Sequence, residues 1–149
     1  ALGGSILGRH LDFEPRVREA LMLNERYQLH AGIDLSDGLS VDLAHLAEES
    51  KCGAVLHAAR VPIHDDARAL AAERAGATTP LDHALNDGED FELLLAVPVA
   101  EAGVLIADQP LAIPLTDIGE FVAELGMWQI DSRGKRSKLL PGGWEHQFM

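Results

Sequence analysis

Several short motifs that identify enzyme classes are missing from this sequence. It contains no Walker-type phosphate loop and no Gly-x-Ser-x-Gly elbow, so neither a P-loop nucleotidase nor an α/β-hydrolase is supported. Histidines are present, but no His-Glu-x-x-His or Cys-x-x-Cys spacing accompanies them. A zinc site therefore has little support from the sequence.

Cysteine and long apolar runs are also scarce. Cys52 is the single cysteine, so the chain cannot form an internal disulfide. No apolar run approaches the roughly 18 residues that a membrane-spanning helix requires. We therefore expect a cytoplasmic protein that does not cross a membrane.

Basic residues are few compared with acidic ones. The sequence has 12 Lys and Arg against 24 Asp and Glu, which gives a formal net charge of −12. Such a surface repels phosphate backbones, so we expect no nucleic-acid partner. Carboxylates can instead bind a divalent cation, which then bridges to a nucleotide or to a substrate phosphate.

Aromatic residues make up only 5% of the chain, whereas hydrophobic residues make up 47%. This balance is typical of a soluble α/β protein, and 149 residues are the length of one domain. Apolar stretches of strand length alternate with segments of helical periodicity. We expect a single domain over residues 1–149, of the α/β (α+β) class, with a mixed β-sheet covered by helices.

Residues 33–39 read Ile-Asp-Leu-Ser-Asp-Gly-Leu and predict a strand, a turn and the start of a helix. The free N–H groups at a helix start carry about half a positive charge and attract anions. Ser36 and Asp37 are also common N-cap residues, so capping is the alternative role. Asp34 contributes nothing to capping and is costly to bury in an apolar strand. The segment therefore indicates a site for magnesium and phosphate.

A second polar turn, at residues 86–90, precedes an apolar strand at 91–97. Its three carboxylates, Asp87, Glu89 and Asp90, repel one another unless a cation or a hydrogen-bond donor is present. A solvated acidic turn is the alternative, because water screens such repulsion. The apolar content of the strand predicts a central position in a sheet, covered on both faces.

The rest of the chain predicts further helices and strands. In the helix expected at 39–50, Asp42 and His45 are predicted to lie on the solvated side, and a pair of metal ligands is the alternative. The apolar side of an earlier helix, ending near Glu25, is predicted from Val17, Ala20, Leu21 and Leu23. Other helices are expected at 67–75, 80–85 and 99–108, and strands at 53–58, 112–122, 127–131 and 137–140.

The two polar segments together resemble a known family. Asp-Leu-Ser-Asp-Gly-Leu at 34–39, followed by Gly-Glu-Asp-Phe-Glu-Leu-Leu at 88–94, is similar to the paired signature of thiamine-monophosphate kinase. That enzyme is similar in fold to aminoimidazole ribonucleotide synthetase, selenophosphate synthetase and a hydrogenase-maturation protein. The resemblance spans nearly all of the chain and covers the family's C-terminal domain, which is of the aminoimidazole ribonucleotide synthetase type.

The resemblance implies an ATP- and Mg²⁺-dependent kinase that converts thiamine monophosphate to thiamine diphosphate. It implies that Asp34 and Asp37 bind magnesium. It also implies that Ser36 and Gly38 bind the nucleotide, ATP.

Substrate binding is implied for Glu89, with Asp90 adjacent, and for Trp144. A carboxylate can accept hydrogen bonds from an aminopyrimidine, and an indole can stack on a flat cationic heterocycle. The alternative for Trp144 is a lid on the core, since tail aromatics commonly hold a C-terminus in place.

By the same resemblance, residues 1–12 would be the remnant of the junction to a missing N-terminal ATP-binding domain. That domain carries most of the family's magnesium-binding acids and its dimer-forming strands. We therefore expect a homodimer when the protein is full length, and no kinase activity from this fragment alone.

Two positions depart from the family's usual Gly-Gly-Glu-Asp-Tyr: Asp87 replaces the first Gly and Phe91 replaces the Tyr. These departures keep open a related ATP-dependent synthetase of the same superfamily with another substrate. A non-catalytic binding module is the alternative from a different functional class.

Overall fold

Helices and short strands alternate through most of the chain. The structure is a computed structural model and describes residues 2–4, 8–73 and 76–142. Its α-helices are α1 (Val17–Arg26), α2 (Leu39–Glu49), α3 (Asp65–Glu73), α4 (Pro80–Asn86) and α5 (Val99–Asp108). Its strands are β1 (Ala31–Asp34), β2 (Gly53–His57), β3 (Leu93–Ala96), β4 (Gly119–Val122), β5 (Met127–Ile130) and β6 (Arg136–Lys138). Short 3-10 turns are found at Arg9–Leu11 and Ala58–Arg60.

The strands form two sheets. β1 and β3 pair antiparallel, with Asp34 opposite Leu93. The larger sheet has the order β4-β2-β5-β6, in which β2 runs antiparallel to β4 and parallel to β5. β5 and β6 form an antiparallel hairpin. This mixture of parallel and antiparallel pairs with helices confirms the expected α/β class.

The core is built around α2, which contacts β1, β2 and α4. Leu39, Leu43, Leu46 and Ala47 recur at helical spacing, and all four are buried. They pack in one cluster with buried residues of β2, α4 and β3. Because α2 follows directly from β1, this packing fixes the turn between the two elements.

Several boundaries predicted from the sequence are confirmed. α2 begins at Leu39 as expected, and α5 occupies 99–108 between Pro98 and Pro110. α4 begins after Thr79, whose hydroxyl accepts the Asp82 N–H at 3.2 Å while the Asp82 carboxylate accepts the Thr79 N–H at 2.7 Å. This reciprocal pair is a capping box, which stabilises a helix start.

The central position predicted for the strand at 91–97 is wrong. β3 covers only Leu93–Ala96, and within the described residues it pairs with β1 alone. Leu94 is buried, whereas its strand neighbours are only half-buried. Its apolar side chains contribute to the lining of a cavity of about 690 Å³, together with residues of α5 and β4. The apolar run therefore predicted neither the sheet neighbours nor full burial, because only Leu94 of β3 is buried.

The long strand predicted at 112–122 is also wrong, because only Gly119–Val122 is extended in a sheet. Pro110 and Pro114 have no N–H to donate to a ladder. The Gln109 side chain instead fixes this loop, since its amide donates to the Leu115 carbonyl and accepts the Leu115 N–H, both at 2.9 Å.

The apolar side predicted for α1 is only partly buried. Leu23 is fully buried, whereas Val17 and Leu21 are exposed. In the described part of the chain, no helix combines the length and the hydrophobicity needed to cross a membrane.

Candidate functional site

The turn between β1 and α2 carries the first predicted group of site residues. Asp34 is the last residue of β1 and is exposed. Ser36 and Asp37 follow in the turn and are half-buried, and Gly38 adopts φ +110° immediately before α2. The buried Leu35 lies between the exposed Asp34 and this turn. The turn therefore presents a hydroxyl and two carboxylates at one end of the β1–α2 unit.

Asp42 is buried beneath this turn, with only 1% of its surface exposed. Its Oδ2 accepts the backbone N–H groups of Asp37 at 3.1 Å and Gly38 at 3.2 Å. Burial raises the pKa of Asp42 above its usual range, and the two backbone hydrogen bonds partly oppose that rise. The prediction that Asp42 lies on the solvated side of α2 is therefore wrong, whereas His45 is exposed as predicted.

The same contacts bear on the anion site predicted at the start of α2. The N–H groups of Asp37 and Gly38 are bound to the Asp42 carboxylate, and those of Val41 and Asp42 donate to the Gly38 carbonyl at 3.0 Å. These four amides are therefore not open to an external anion. Side chains such as the Ser36 hydroxyl, and a bridging cation, remain available to bind a phosphate at this turn.

Cation ligands are available at the turn. One ligand atom each from Asp37, Asp42 and His45 lie within 4.8 Å of one another. Asp34, the other predicted metal ligand, is not in this group. It is the last residue of β1 and precedes the turn that contains Asp37. Oxygen donors are what Mg²⁺ prefers, so the carboxylates of Asp34 and Asp37 fit this ion by donor type.

The second predicted segment lies directly against the first. The Glu89 N–H donates to the Ser36 carbonyl, and the Phe91 N–H donates to the Leu35 carbonyl, both at 2.8 Å. Gly88 makes this contact possible, because a Cβ at that position would lie 2.7 Å from the Ser36 carbonyl oxygen. The structure thus brings the two segments together through backbone hydrogen bonds.

The three carboxylates of the second segment have different surroundings. Glu89 is exposed, whereas Asp90 is buried and accepts the Gly3 N–H at 2.9 Å. Asp87 accepts the Gly4 N–H at 3.0 Å and contacts the His83 ring. Donors from distant residues therefore offset the repulsion expected among these acids at Asp87 and Asp90.

Two residues beside the second segment were not singled out from the sequence. Phe13 stacks on Phe91 with ring centroids 4.0 Å apart. The Arg16 guanidinium donates to Glu92 at 3.0 and 3.3 Å, and this hydrogen bond raises the pKa of Arg16. No local motif indicates these pairs, because the partners are far apart in sequence.

Trp144, the third predicted substrate-binding residue, lies outside the described residues. The 690 Å³ cavity is a separate feature, because its lining includes Leu35 and Glu92 but none of Ser36, Asp37 and Glu89. This cavity and the polar turn at 34–38 are therefore different places. The polar turn is the better candidate site, because its carboxylates and hydroxyl can bind a metal ion and a phosphate.

The chain matches the family model described as AIR synthase related protein, C-terminal domain, over residues 3–127. The chain belongs to this family. Membership in the AIR synthase related C-terminal domain family agrees with the resemblance drawn from the two polar segments, both of which fall within the matched residues.

Curated relatives of this AIR synthase related domain include thiamine-monophosphate kinases. The one from Rhodopirellula baltica is 42% identical over 146 residues, which are 98% of this chain and 45% of the relative. The one from Escherichia coli K12 is 37% identical over 122 residues, which are 80% of this chain and 35% of the relative. The chain thus spans less than half the length of these relatives.

Solved structures show the same fold. AaThiL complexed with AMPPCP and TMP is 25% identical with a TM-score of 0.70, covering 98% of this chain and 48% of that one. The thiamine-monophosphate kinase from Stenotrophomonas maltophilia K279a is 34% identical with a TM-score of 0.62, covering 77% and 35%. HypE of E. coli, a hydrogenase maturation protein, reaches a TM-score of 0.74 at 22% identity, covering 97% and 48%, and shows likeness in fold alone.

Proposed function

We propose that this chain is part of an ATP- and Mg²⁺-dependent kinase that phosphorylates thiamine monophosphate to thiamine diphosphate. The observation that carries the proposal is the hydrogen bond from the Glu89 N–H to the Ser36 carbonyl at 2.8 Å. It joins the segment suited to metal and phosphate to the segment that carries an exposed carboxylate. The names of the relatives and the AMPPCP and TMP bound to AaThiL support the same reading.

On the nucleotide side, Asp34 and Asp37 are the proposed Mg²⁺ ligands. When bound, the ion neutralises charge on the phosphate oxygens. Ser36 donates its hydroxyl to a phosphate oxygen, and Gly38 is the proposed backbone neighbour of the nucleotide. Gly38 also lets this turn pack on α4, because a Cβ there would lie 3.0 Å from the Leu85 carbonyl oxygen. Asp42 holds the backbone of this turn, so the side chains of Ser36 and Asp37 start from a fixed position.

On the substrate side, Glu89 and Trp144 are the proposed contacts to thiamine monophosphate. The exposed Glu89 carboxylate can accept hydrogen bonds from the aminopyrimidine, and the Trp144 indole can stack on a flat ring. The Asp90 carboxylate is occupied by the Gly3 N–H, so it supports this segment from behind.

In the reaction, a phosphate oxygen of thiamine monophosphate attacks the γ-phosphorus of ATP, and the bond from that phosphorus to the ADP oxygen breaks. Such a transfer depends on holding donor and acceptor in line. The hydrogen-bonded contact between the two segments supplies that positioning from this chain.

This chain is proposed to form one wall of the active site and to be inactive by itself. An upstream N-terminal domain, joined through residues 1–12, would supply the other wall and the dimer-forming strands of a cytoplasmic enzyme. The support is the 45% of the Rhodopirellula relative that the chain covers.

An activity comparison tests both statements. The complete protein and residues 1–149 are each incubated with ATP, Mg²⁺ and thiamine monophosphate, and ADP and thiamine diphosphate are measured. We expect thiamine diphosphate from the complete protein only. Its formation by residues 1–149 alone refutes the proposed dependence on the upstream domain. If the complete protein consumes ATP with another small phosphate and not with thiamine monophosphate, the substrate is wrong.

A further inference from the structure

Glu89 lies between two acidic residues that both face the same short segment, residues 2–4. The Gly3 N–H donates to Asp90 at 2.9 Å to Oδ1 and 3.2 Å to Oδ2. The Gly4 N–H donates to Asp87 Oδ2 at 3.0 Å. The loop is therefore fastened immediately after Glu89 and two residues before it.

The segment that receives these carboxylates is itself fixed. The Leu2 N–H donates to the Pro62 carbonyl at 2.7 Å, and the His64 N–H donates to the Leu2 carbonyl at 2.9 Å. Leu2 is buried in the core cluster. Gly3 packs so closely on α4 that a Cβ there would lie 2.7 Å from the Ala84 nitrogen. Asp87 and Asp90 thus hold the loop to a firm support.

His83 fixes Asp87 from the other side. Its Nδ1 lies 2.9 and 3.0 Å from the two Asp87 carboxylate oxygens, and its Nε2 lies 2.9 Å from the Thr78 hydroxyl. The ring is only 4% exposed. An ionised carboxylate only accepts hydrogen bonds, so Nδ1 carries the proton in this pair. Both ring nitrogens of His83 are hydrogen-bonded, so the ring is fixed. It therefore holds the Asp87 carboxylate next to the Gly4 N–H.

The backbone on either side of Asp90 is strained. Glu89 has φ +53° and Phe91 has φ +50°, in the left-handed region that side chains other than glycine rarely adopt. Such conformations persist only where the surroundings impose them. Three contacts impose the backbone conformation at Glu89: those of Asp87 and Asp90, and the hydrogen bond from the Glu89 N–H to the Ser36 carbonyl. The Glu89 side chain stays exposed.

We propose that Asp87, supported by His83, and Asp90 are positioning residues that hold Glu89 in the orientation that binds thiamine monophosphate. This inference rests on the proposed kinase function, and none of the three side chains needs to touch the substrate. Asp87 stands where the resembled family usually has glycine, and in this chain it is the residue that contacts His83.

Steady-state kinetics of the complete protein test the role. Asp87→Ala and Asp90→Ala are each expected to raise the KM for thiamine monophosphate by about tenfold, because each loses the charged acceptor that binds residues 2–4. The KM for ATP should stay within about twofold. The control is Asp82→Ala, which removes the capping-box carboxylate at the start of α4 and no contact with residues 2–4. This variant should lower the unfolding temperature without changing either KM.

A double substitution separates positioning from direct binding. If Asp87 acts through Glu89, adding Asp87→Ala to Glu89→Ala produces no further rise in the KM for thiamine monophosphate. A full additional rise shows that Asp87 acts independently and overturns the proposal. Unchanged KM values in both single variants, with a lower unfolding temperature, overturn it as well.

Amide hydrogen exchange supplies a readout that needs no substrate. Exchange at the Glu89 N–H, which is bound to Ser36, should become faster in Asp87→Ala and remain unchanged in Asp82→Ala. A wild-type protein without activity on thiamine monophosphate refutes the kinase proposal, and the exchange result then decides the positioning role separately. Unchanged exchange at Glu89 in Asp87→Ala refutes the positioning role whatever the substrate.

Discussion

The buried Asp42 carboxylate accepts the backbone N–H of Gly38 at 3.2 Å across the first turn of α2. The same oxygen accepts the Asp37 N–H at 3.1 Å. A single side chain of the helix therefore fixes the turn that presents Ser36 and Asp37. The stability of this turn and the geometry of the candidate site depend on the same contact.

Replacing Asp42 should destabilise the protein. Asp42→Ala leaves the N–H groups of the buried Gly38 and the half-buried Asp37 without their acceptor, at a cost of about 1–3 kcal/mol in the free energy of unfolding. Asp42→Asn keeps an acceptor oxygen and should cost less. Urea unfolding of the complete protein measures both. Asp65→Ala is the control, since that side chain is 98% exposed and its loss should change stability by no more than about 0.5 kcal/mol. Equal losses in the Ala and Asn variants would contradict the assigned role of the acceptor.

Gly88 should not tolerate a side chain. Gly88→Ala places a Cβ against the Ser36 carbonyl at a residue with φ +70°, so we expect a loss of about 1–3 kcal/mol and weaker kinase activity. Gly103→Ala is the matched control, because a Cβ there meets nothing within 4 Å in the middle of α5. That control should stabilise the protein by about 0.5–1 kcal/mol. Thermal unfolding and the kinase assay report the two effects.

Nucleotide binding should depend on Asp37 and on the metal. Asp37→Asn keeps the shape of the side chain and removes its charge, so calorimetric titration with AMPPCP and Mg²⁺ should show affinity lowered at least about tenfold. Removal of Mg²⁺ with EDTA should weaken wild-type binding in the same direction. If AMPPCP binds equally well with and without Mg²⁺, the metal role of Asp34 and Asp37 is wrong.

Substrate binding should separate from nucleotide binding. Glu89→Gln and Trp144→Ala are each expected to weaken binding of thiamine monophosphate by about 1–2 kcal/mol, because each removes one specific contact. AMPPCP affinity should be retained in both variants. Calorimetry with each ligand checks this separation, and parallel loss of both ligands would indicate misfolding or a shared site.

The elements with local signals were predictable. α5 was assigned at 99–108 because prolines stand on both sides of it, and α2 because its four buried residues recur at helical spacing. The assignment of the two polar segments to one active site followed from the family resemblance. None of these inferences required knowledge of contacts between distant residues.

Contacts between distant residues account for what the sequence did not reveal. Asp42 was placed in solvent because helical periodicity separates polar from apolar residues and says nothing about unpaired N–H groups in a preceding turn. An acidic residue in the first turn of a helix was the one available signal. The Gly3 to Asp90 contact joins residues 87 positions apart and has no local signature.

The backbone contacts between Ser36 and Glu89 also constrain the order of events during synthesis. When the ribosome has released α2 alone, the Asp42 contacts to Asp37 and Gly38 can already form, because all three residues are close in sequence. The segment that carries Glu89 can pack against Ser36 only after Gly88 has left the exit tunnel and loop-closure entropy has been lost. A nascent chain that stops before residue 88 would therefore contain the proposed metal ligands Asp34 and Asp37 without the segment that carries Glu89.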